Sequence, residues 1–214
     1  GANISAVNAV MSGDFNNAFS AIRPPGHHAE TEKAMGFCIF GNVAIAAKYA
    51  IENHKLKRVA VVDFDVHHGN GTQEILWDDP NVLFVSTHQM PLWPGSGTHE
   101  EHGNHQNILN IPIQANTDGP AFRQKFDEII LPRLDSYKPE ILIISAGFDA
   151  HYKDPLANIE LMTEDYEWIT HRLCDIADEH ADGRLISSLE GGYNLAALAE
   201  SVAVHVKVLM ERSK

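Results

Sequence analysis

Apolar positions along this chain gather into short blocks, many of them β-branched, separated by polar, glycine- and proline-rich stretches. Val59-Ala60-Val61-Val62, Val82-Leu83-Phe84-Val85 and Ile141-Leu142-Ile143-Ile144 are uninterrupted, as in strands buried on both faces. They predict strands over about 58–65, 82–88 and 140–149, with shorter ones over 108–113 and 185–189 and a weak one over 19–22. Helical spacing fills much of the rest. A short helix is expected over 3–13, closed by Ser12-Gly13, and another over 43–53 with Asn42 as its cap. Phe122, Phe126, Ile129, Ile130 and Leu134 predict a helix over 120–137. Thr163 is expected to cap a helix over 163–181. Asn194 is expected to cap a final helix with Leu195, Leu198, Val202, Val206 and Leu209 on one face. Residues 89–107 read as a long Gly/Pro/His loop. Strands alternating with helices imply an α/β fold with a mostly parallel sheet flanked by helices, as a single domain over residues 1–214.

Composition narrows the class. A chain of 214 residues that is 44% hydrophobic can bury a sizeable core. No run of about 18 apolar residues is present, so no membrane-spanning helix is expected. The first residues lack the basic and apolar regions of a signal peptide. Cys38 and Cys174 are too few for a disulfide framework and suit reduced thiols in a cytoplasmic setting. The net charge of −13 argues against a nucleic-acid phosphate binder and is compatible with cationic, lysine-rich partners.

The chemistry concentrates in Asp63-Phe64-Asp65-Val66-His67-His68-Gly69-Asn70-Gly71, directly after an apolar strand. If the extended chain persists, Asp63, Asp65 and His67 share one side. Burying two carboxylates and an imidazole together is costly unless a cation compensates them. A lone Asp-x-His is most often a solvated turn, but here the motif has company. His27 and His28, Asp65 and His67, Ser86 and Thr87, Asp149, and Tyr193 all follow apolar strand candidates. In parallel sheets ligands bind beyond the carboxyl ends of strands. Asp65, His67 and Asp149 would hold a zinc-like ion with coordination positions left open. His27 and His28 suit general base and acid roles, and Tyr193 could donate to a developing oxyanion. That set describes metal-assisted hydrolysis of an amide or ester. Taken singly, paired histidines after Pro-Pro-Gly suit an exposed loop, Asp149 a turn, and Tyr193 an ordinary surface.

Arg23-Pro24-Pro25-Gly26-His27-His28-Ala29, Gly36-Phe37-Cys38, the stretch from Asp63 to Gln73, Ser145-Ala146-Gly147-Phe148-Asp149 and Glu190-Gly191-Gly192-Tyr193 resemble the zinc-dependent histone deacetylase family, which includes acetylpolyamine amidohydrolases. The resemblance implies an arginase-like α/β fold and hydrolysis of acetyl-lysine amides. It implies zinc on Asp65, His67 and Asp149, with His27, His28 and Tyr193 as catalytic groups. Asp63 would orient His27, and Asn70 would orient His28; an asparagine there resembles the class II branch. A potassium ion would sit among Asp63, Asp65, His67, Ser86 and Thr87. Gly36, Phe37, Trp93, Leu156 and Gly192 would line an acyl-lysine channel.

Acetylated lysines or small acyl amines would be the partners. A hydrolase for acetylpolyamines or other small acyl amides, and a non-catalytic zinc-holding module that binds acyl-lysine, are the competing readings. The family's first two strands have no counterpart in the sequence, so the segment around 19–22 is expected to be an apolar sheet edge through which the chain self-associates or pairs with another chain that supplies those strands. His99, His102 and His105, at a spacing of three, suit either a metal or a polar loop, and the loop is the expectation.

Overall fold

The computed structural model describes residues 1–213. Six strands form one sheet: β1 (Asn17–Ser20), β2 (Val59–Asp63), β3 (Val82–Gln89), β4 (Ile108–Ile113), β5 (Ile141–Ala146) and β6 (Leu185–Leu189). Their order is β1-β6-β5-β2-β3-β4, and every pair is parallel. Each crossover therefore passes over a face of the sheet, which is why both faces are covered and the central strands are apolar throughout.

Alternation along the strands sorts the core into two layers. Val59 and Val61, Val82 and Phe84, and Ile141 and Ile143 pack against α1 (Ala2–Ser12) and α2 (Asn42–His54). Ala60 and Val62, Leu83 and Val85, and Leu142 and Ile144 face the opposite layer. That layer contains α4 (Gly119–Lys125), α5 (Leu131–Tyr137), α6 (Thr163–His180) and α7 (Leu195–Glu211). A short helix, α3 (Asn70–Leu76), follows β2 and was not expected from the sequence, where only Ile75 and Leu76 are apolar.

The pairing register brings a polar row across the whole sheet. Ser20, Ser188, Ser145, Asp63, Ser86 and Asn110 are successive partners from one edge to the other. All six are buried. The apolar blocks thus give way to polar residues at one level, and the loops beyond that level carry the chemistry.

Several local expectations are corrected. β2 stops at Asp63, short of the expected 65, so Asp65 and His67 lie on an irregular loop. β5 stops at Ala146, and β1 lies slightly earlier than 19–22. Asn42 is the first residue of α2 and not its cap; its amide donates to the Pro24 carbonyl. Thr163 likewise begins α6, and the Asp165 carboxylate accepts from the Met162 N–H at 2.7 Å. Asn194 does cap α7, accepting from the Ala197 N–H.

The helix expected over 120–137 contains a π turn at Phe126–Ile130, just before Pro132. A π turn shifts the side-chain phase, so Ile130 and Leu131 are buried while Ile129 is exposed.

The face of α7 is as expected only in part: Leu209 is buried and Leu198 and Val202 pack against the core. Its buried stripe is Ala197, Ser201, His205, Val208 and Leu209. Leu195 is exposed, and Val202 and Val206 line an outer groove with Met210. Burial of His205 explains the difference. Its ring bridges Thr170 Oγ1 of α6 at 2.7 Å and Ser187 Oγ of β6 at 2.8 Å, so a polar residue joins three elements in the core. β1 forms one edge of the sheet, as the resemblance implied, and the α7 groove lies on the helix that packs against it.

Burial pushes the His205 pKa down to about 3, against roughly 6.5 for an unfolded histidine. Below about pH 6.5 the unfolded chain takes up a proton that the folded ring refuses, so stability falls as pH drops towards 3. Between pH 7 and pH 5 this one group removes about 2 kcal/mol. His205→Gln, which cannot titrate, should lose correspondingly less stability over that range in urea unfolding. Equal pH slopes for the two proteins would refute the assignment.

Candidate active site

The Arg23–Ala29 turn brings His27 and His28 to the polar row, and both are buried. The His27 backbone is gripped from both sides. Its carbonyl accepts from the Gly71 and Thr72 N–H groups at the start of α3, at 3.0 and 3.1 Å. Glu190 Oε2, just after β6, accepts from the Gly26 and His27 N–H groups at 2.7 and 3.1 Å, while its Oε1 accepts from Ser145 Oγ. Glu190 had no role in the sequence reading, although its place in Glu190-Gly191-Gly192-Tyr193 was visible.

The two side chains are set by different partners. His27 Nδ1 faces Asp63 Oδ2 at 3.0 Å, and its Nε2 lies 3.7 Å from Asp65 Oδ1. Burial works against a charge on His27, but Asp65 and Asp63 outweigh it and hold the pKa well above its usual value. His28 Nδ1 donates to Asn70 Oδ1 at 2.8 Å, and the Asn70 amide donates to Glu30 Oε1 at 2.7 Å. An amide oxygen accepts and does not donate, so the His28 proton sits on Nδ1 and Nε2 carries a free lone pair. Burial, then the neighbouring His27, lowers the His28 pKa to about 3.

Asp65, His67 and Asp149 converge. One ligand atom from each lies within 4.8 Å of the others, and all three residues are buried. His67 Nδ1 lies 3.2 Å from Asp65 Oδ1 and 3.0 Å from Asp149 Oδ2. Backbone amides fix the carboxylates: Val66 N–H donates to Asp149 Oδ1, and Gly191 N–H to Asp65 Oδ2, each at 2.8 Å. Gly147 and Gly191 leave no room for a side chain, since a Cβ on either would run into the Asp65 carboxylate, and on Gly191 into Asp149 as well. Burial opposes a charge on His67, but Asp149 and Asp65 raise its pKa to about 10. Burial and Asp65 push Asp149 up to about 7. Protons thus partly balance carboxylates for which a divalent cation is the better counter-charge, and the donor set of two carboxylates and one imidazole fits zinc.

Asp63 lies outside that trio, because its carboxylate is taken by His27 and by the Asp65 N–H. Ser86 and Thr87 are buried beside it on β3. The Ser86 hydroxyl meets His88 Nδ1 at 2.9 Å, and Thr87 Oγ1 donates to the Asp63 carbonyl at 3.4 Å.

A cavity of about 240 Å³ opens above the trio, lined by His28, Gly36, Phe37, His67, Leu92, Trp93, Leu156 and Tyr193. Four of the five residues expected along a channel are therefore there. Gly192 is the exception: it packs against Leu198, where its positive φ and the lack of space both favour glycine. Leu92 was missed; an apolar residue beside Trp93 in a polar loop was the available signal. Phe37 holds a left-handed φ of 63° with its ring 71% exposed at the mouth. Such a backbone is costly outside glycine and clusters at functional sites. The Tyr193 ring stands edge-on to His67, with centroids 6.4 Å apart. Burial raises its pKa, so its hydroxyl stays a neutral donor.

The loop carrying Trp93 is held from below. Glu101 accepts from the Gly97 and Thr98 N–H groups and from Gln73 Nε2. His99, His102 and His105 are exposed and form no metal-binding group among the described residues. The polar loop is what the structure shows; the anchor within it is the half-buried carboxylate of Glu101, between two of those histidines.

The chain matches the family model "Histone deacetylase domain" over residues 1–209. It is 47% identical to "Histone deacetylase 10, chloroplastic" of Oryza sativa subsp. japonica, over 86% of this chain and 42% of that protein. It is 42% identical to "Histone deacetylase-like amidohydrolase" of Pseudomonas aeruginosa, over 90% of this chain and 52% of that protein. The chain thus spans about half the length of these relatives. The crystal structure of the HDA15 HD domain superposes with a TM-score of 0.92 at 36% identity, covering 98% of this chain and 60% of the other. Fold and sequence agree, and the chain belongs to the histone deacetylase family.

Proposed function

We propose that this chain is the catalytic core of a zinc-dependent hydrolase that cleaves the amide of acetyl-lysine. The observation that carries the reading is the buried Asp65, His67 and Asp149 trio, whose His67 lines a cavity together with His28 and Tyr193. A zinc ion held by those three residues would polarise the substrate carbonyl and activate a water molecule. His28 Nε2, kept free by the Asn70 bond, accepts the water's proton as oxygen adds to the carbonyl carbon. The Tyr193 hydroxyl donates to the carbonyl oxygen as it gains charge. A proton held by the histidine pair passes to the departing nitrogen, the C–N bond breaks, and acetate and a free amine leave. Phe37, Trp93 and Leu156 enclose the aliphatic stem.

Potassium among Asp63, Asp65, His67, Ser86 and Thr87 belongs to the same proposal, supported by the burial of all five residues. So does the class II assignment, supported by Asn70 on His28. Small acyl amines remain the second substrate class, because the amidohydrolase relative matches the same stretch of chain and the cavity would admit any slim alkyl stem. The complete set of metal-ligand and acid/base candidates argues against a module that only binds.

Protein purified without chelator should carry about one tightly held transition metal per chain, most readily zinc. Asp149→Ala should lose most of it in elemental analysis. Full retention by that variant would remove the site. With a fluorogenic acetyl-lysine peptide, Tyr193→Phe should lower kcat by about 10²–10³ while leaving the fold intact. His28→Ala should be at least as damaging. Near-normal turnover by Tyr193→Phe in an active preparation would exclude the hydroxyl's role. We further propose self-association through the β1 edge, supported by its position and by the apolar groove on neighbouring α7. Light scattering across a concentration series should show growing mass, and a constant monomer mass would rule it out.

A further inference from the structure

Two of the cavity's lining residues, Tyr193 and Leu156, come from separate loops, one after β6 and one after β5. A single buried carboxylate joins them. Asp154 Oδ2 accepts from the Tyr193 N–H at 2.8 Å, and Asp154 Oδ1 accepts from the Leu156 N–H at 3.0 Å. Asp154 is only 7% exposed, and its own N–H donates to the His151 carbonyl at 2.8 Å. One residue on, the Asn194 amide donates to the Lys153 carbonyl at 3.2 Å. Residues 193–194 are therefore stitched to residues 153–156, and that segment begins four residues after the metal-ligand candidate Asp149.

The need for a clamp follows from what precedes Tyr193. Gly191 and Gly192 carry no side chain, and Gly192 sits at a φ of 148°, where few side chains are tolerated. A tyrosine following two glycines has little intrinsic preference for one direction. Its N–H is the first backbone group of that loop after Gly191 to be tied to a buried charge, and charge-assisted hydrogen bonds are stronger than neutral ones.

We propose that Asp154 is a positioning residue that aims the Tyr193 hydroxyl and couples it to the Leu156 rim, so that a substrate pressing on Leu156 and the donor at the reacting carbonyl respond together. This inference rests on the hydrolytic reading of the site. Asp154 is not one of the metal-ligand candidates, so its effect separates from metal loss.

Asp154→Asn is the informative change. It is nearly isosteric, but an amide has a single acceptor oxygen, so one of the two backbone N–H groups must face an NH₂. Metal content should match the parent protein, and amide hydrogen exchange should rise at whichever of Tyr193 and Leu156 meets the NH₂. On the acetyl-lysine peptide kcat should fall about 10- to 100-fold, as for a slightly misplaced group, with a much smaller change in KM. In a Tyr193→Phe background the same substitution should cost less than about 3-fold, because the hydroxyl it aims is already gone. Unchanged exchange at both amides, full kcat, or equal losses in both backgrounds would overturn the proposal. If the parent protein turns over no acyl amide, the hydrolytic reading fails, and the exchange measurement alone then decides whether the clamp exists. Asp154→Ala, assayed for exchange alongside a thermal melt, separates clamp loss from unfolding.

Discussion

The central constraint in this molecule is buried negative charge. Asp63, Asp65, Asp149 and Glu190 are each at most 3% exposed and meet at the carboxyl ends of three neighbouring strands. Carboxylates so placed cannot rely on water, and without compensation each would cost several kcal/mol. Much of the surrounding architecture supplies that compensation. Backbone N–H groups of Gly26, His27, Asp65, Val66, His67 and Gly191 donate to the four carboxylates. Imidazoles of His27 and His67 stand against three of them. A cation held by Asp65, His67 and Asp149 would complete the balance.

Such a cluster also explains why β2 ends at Asp63. The polar row from Ser20 to Asn110 is the last level shared by all six strands; beyond it only β3 with β4 and β5 with β6 stay paired. Beyond it the chain uses its N–H groups on side chains, and a regular strand could not. The charges and the irregular loops are thus one feature seen twice. Positioning comes from the backbone of one segment holding the side chain of another, as Glu190 holds the histidine turn and Asp154 holds the tyrosine turn.

How much of this the sequence reveals depends on the distance over which each signal acts. The central strands were legible because burial on both faces leaves an uninterrupted apolar run, as in Val59 to Val62. Residues grouped by strand ends, such as Asp65, His67 and Asp149, were legible because a parallel sheet sends all carboxyl ends one way. Signals that depend on a distant partner were not. His205 looks like an interruption of an apolar stripe until Thr170 and Ser187 are seen to hold it. Asp154 and Glu190 resemble ordinary turn acids, since their partners lie 39 and 164 positions away. Asn42 and Thr163 carry cap-like side chains, yet the helices begin one residue earlier than a cap would require.

Gly147 and Gly191 carry a consequence for how finely such a centre is adjusted. At both positions the Asp65 carboxylate occupies the space a methyl group would need. The β5 and β6 loops therefore each lie at contact distance from the Asp65 carboxylate on the loop after β2. Rotamer changes cannot bring the ligands closer, and any larger residue can only spread them. For any ion held there, that contact would set how closely the ligands approach, leaving side-chain variation free to reshape the cavity above without retuning the floor beneath it.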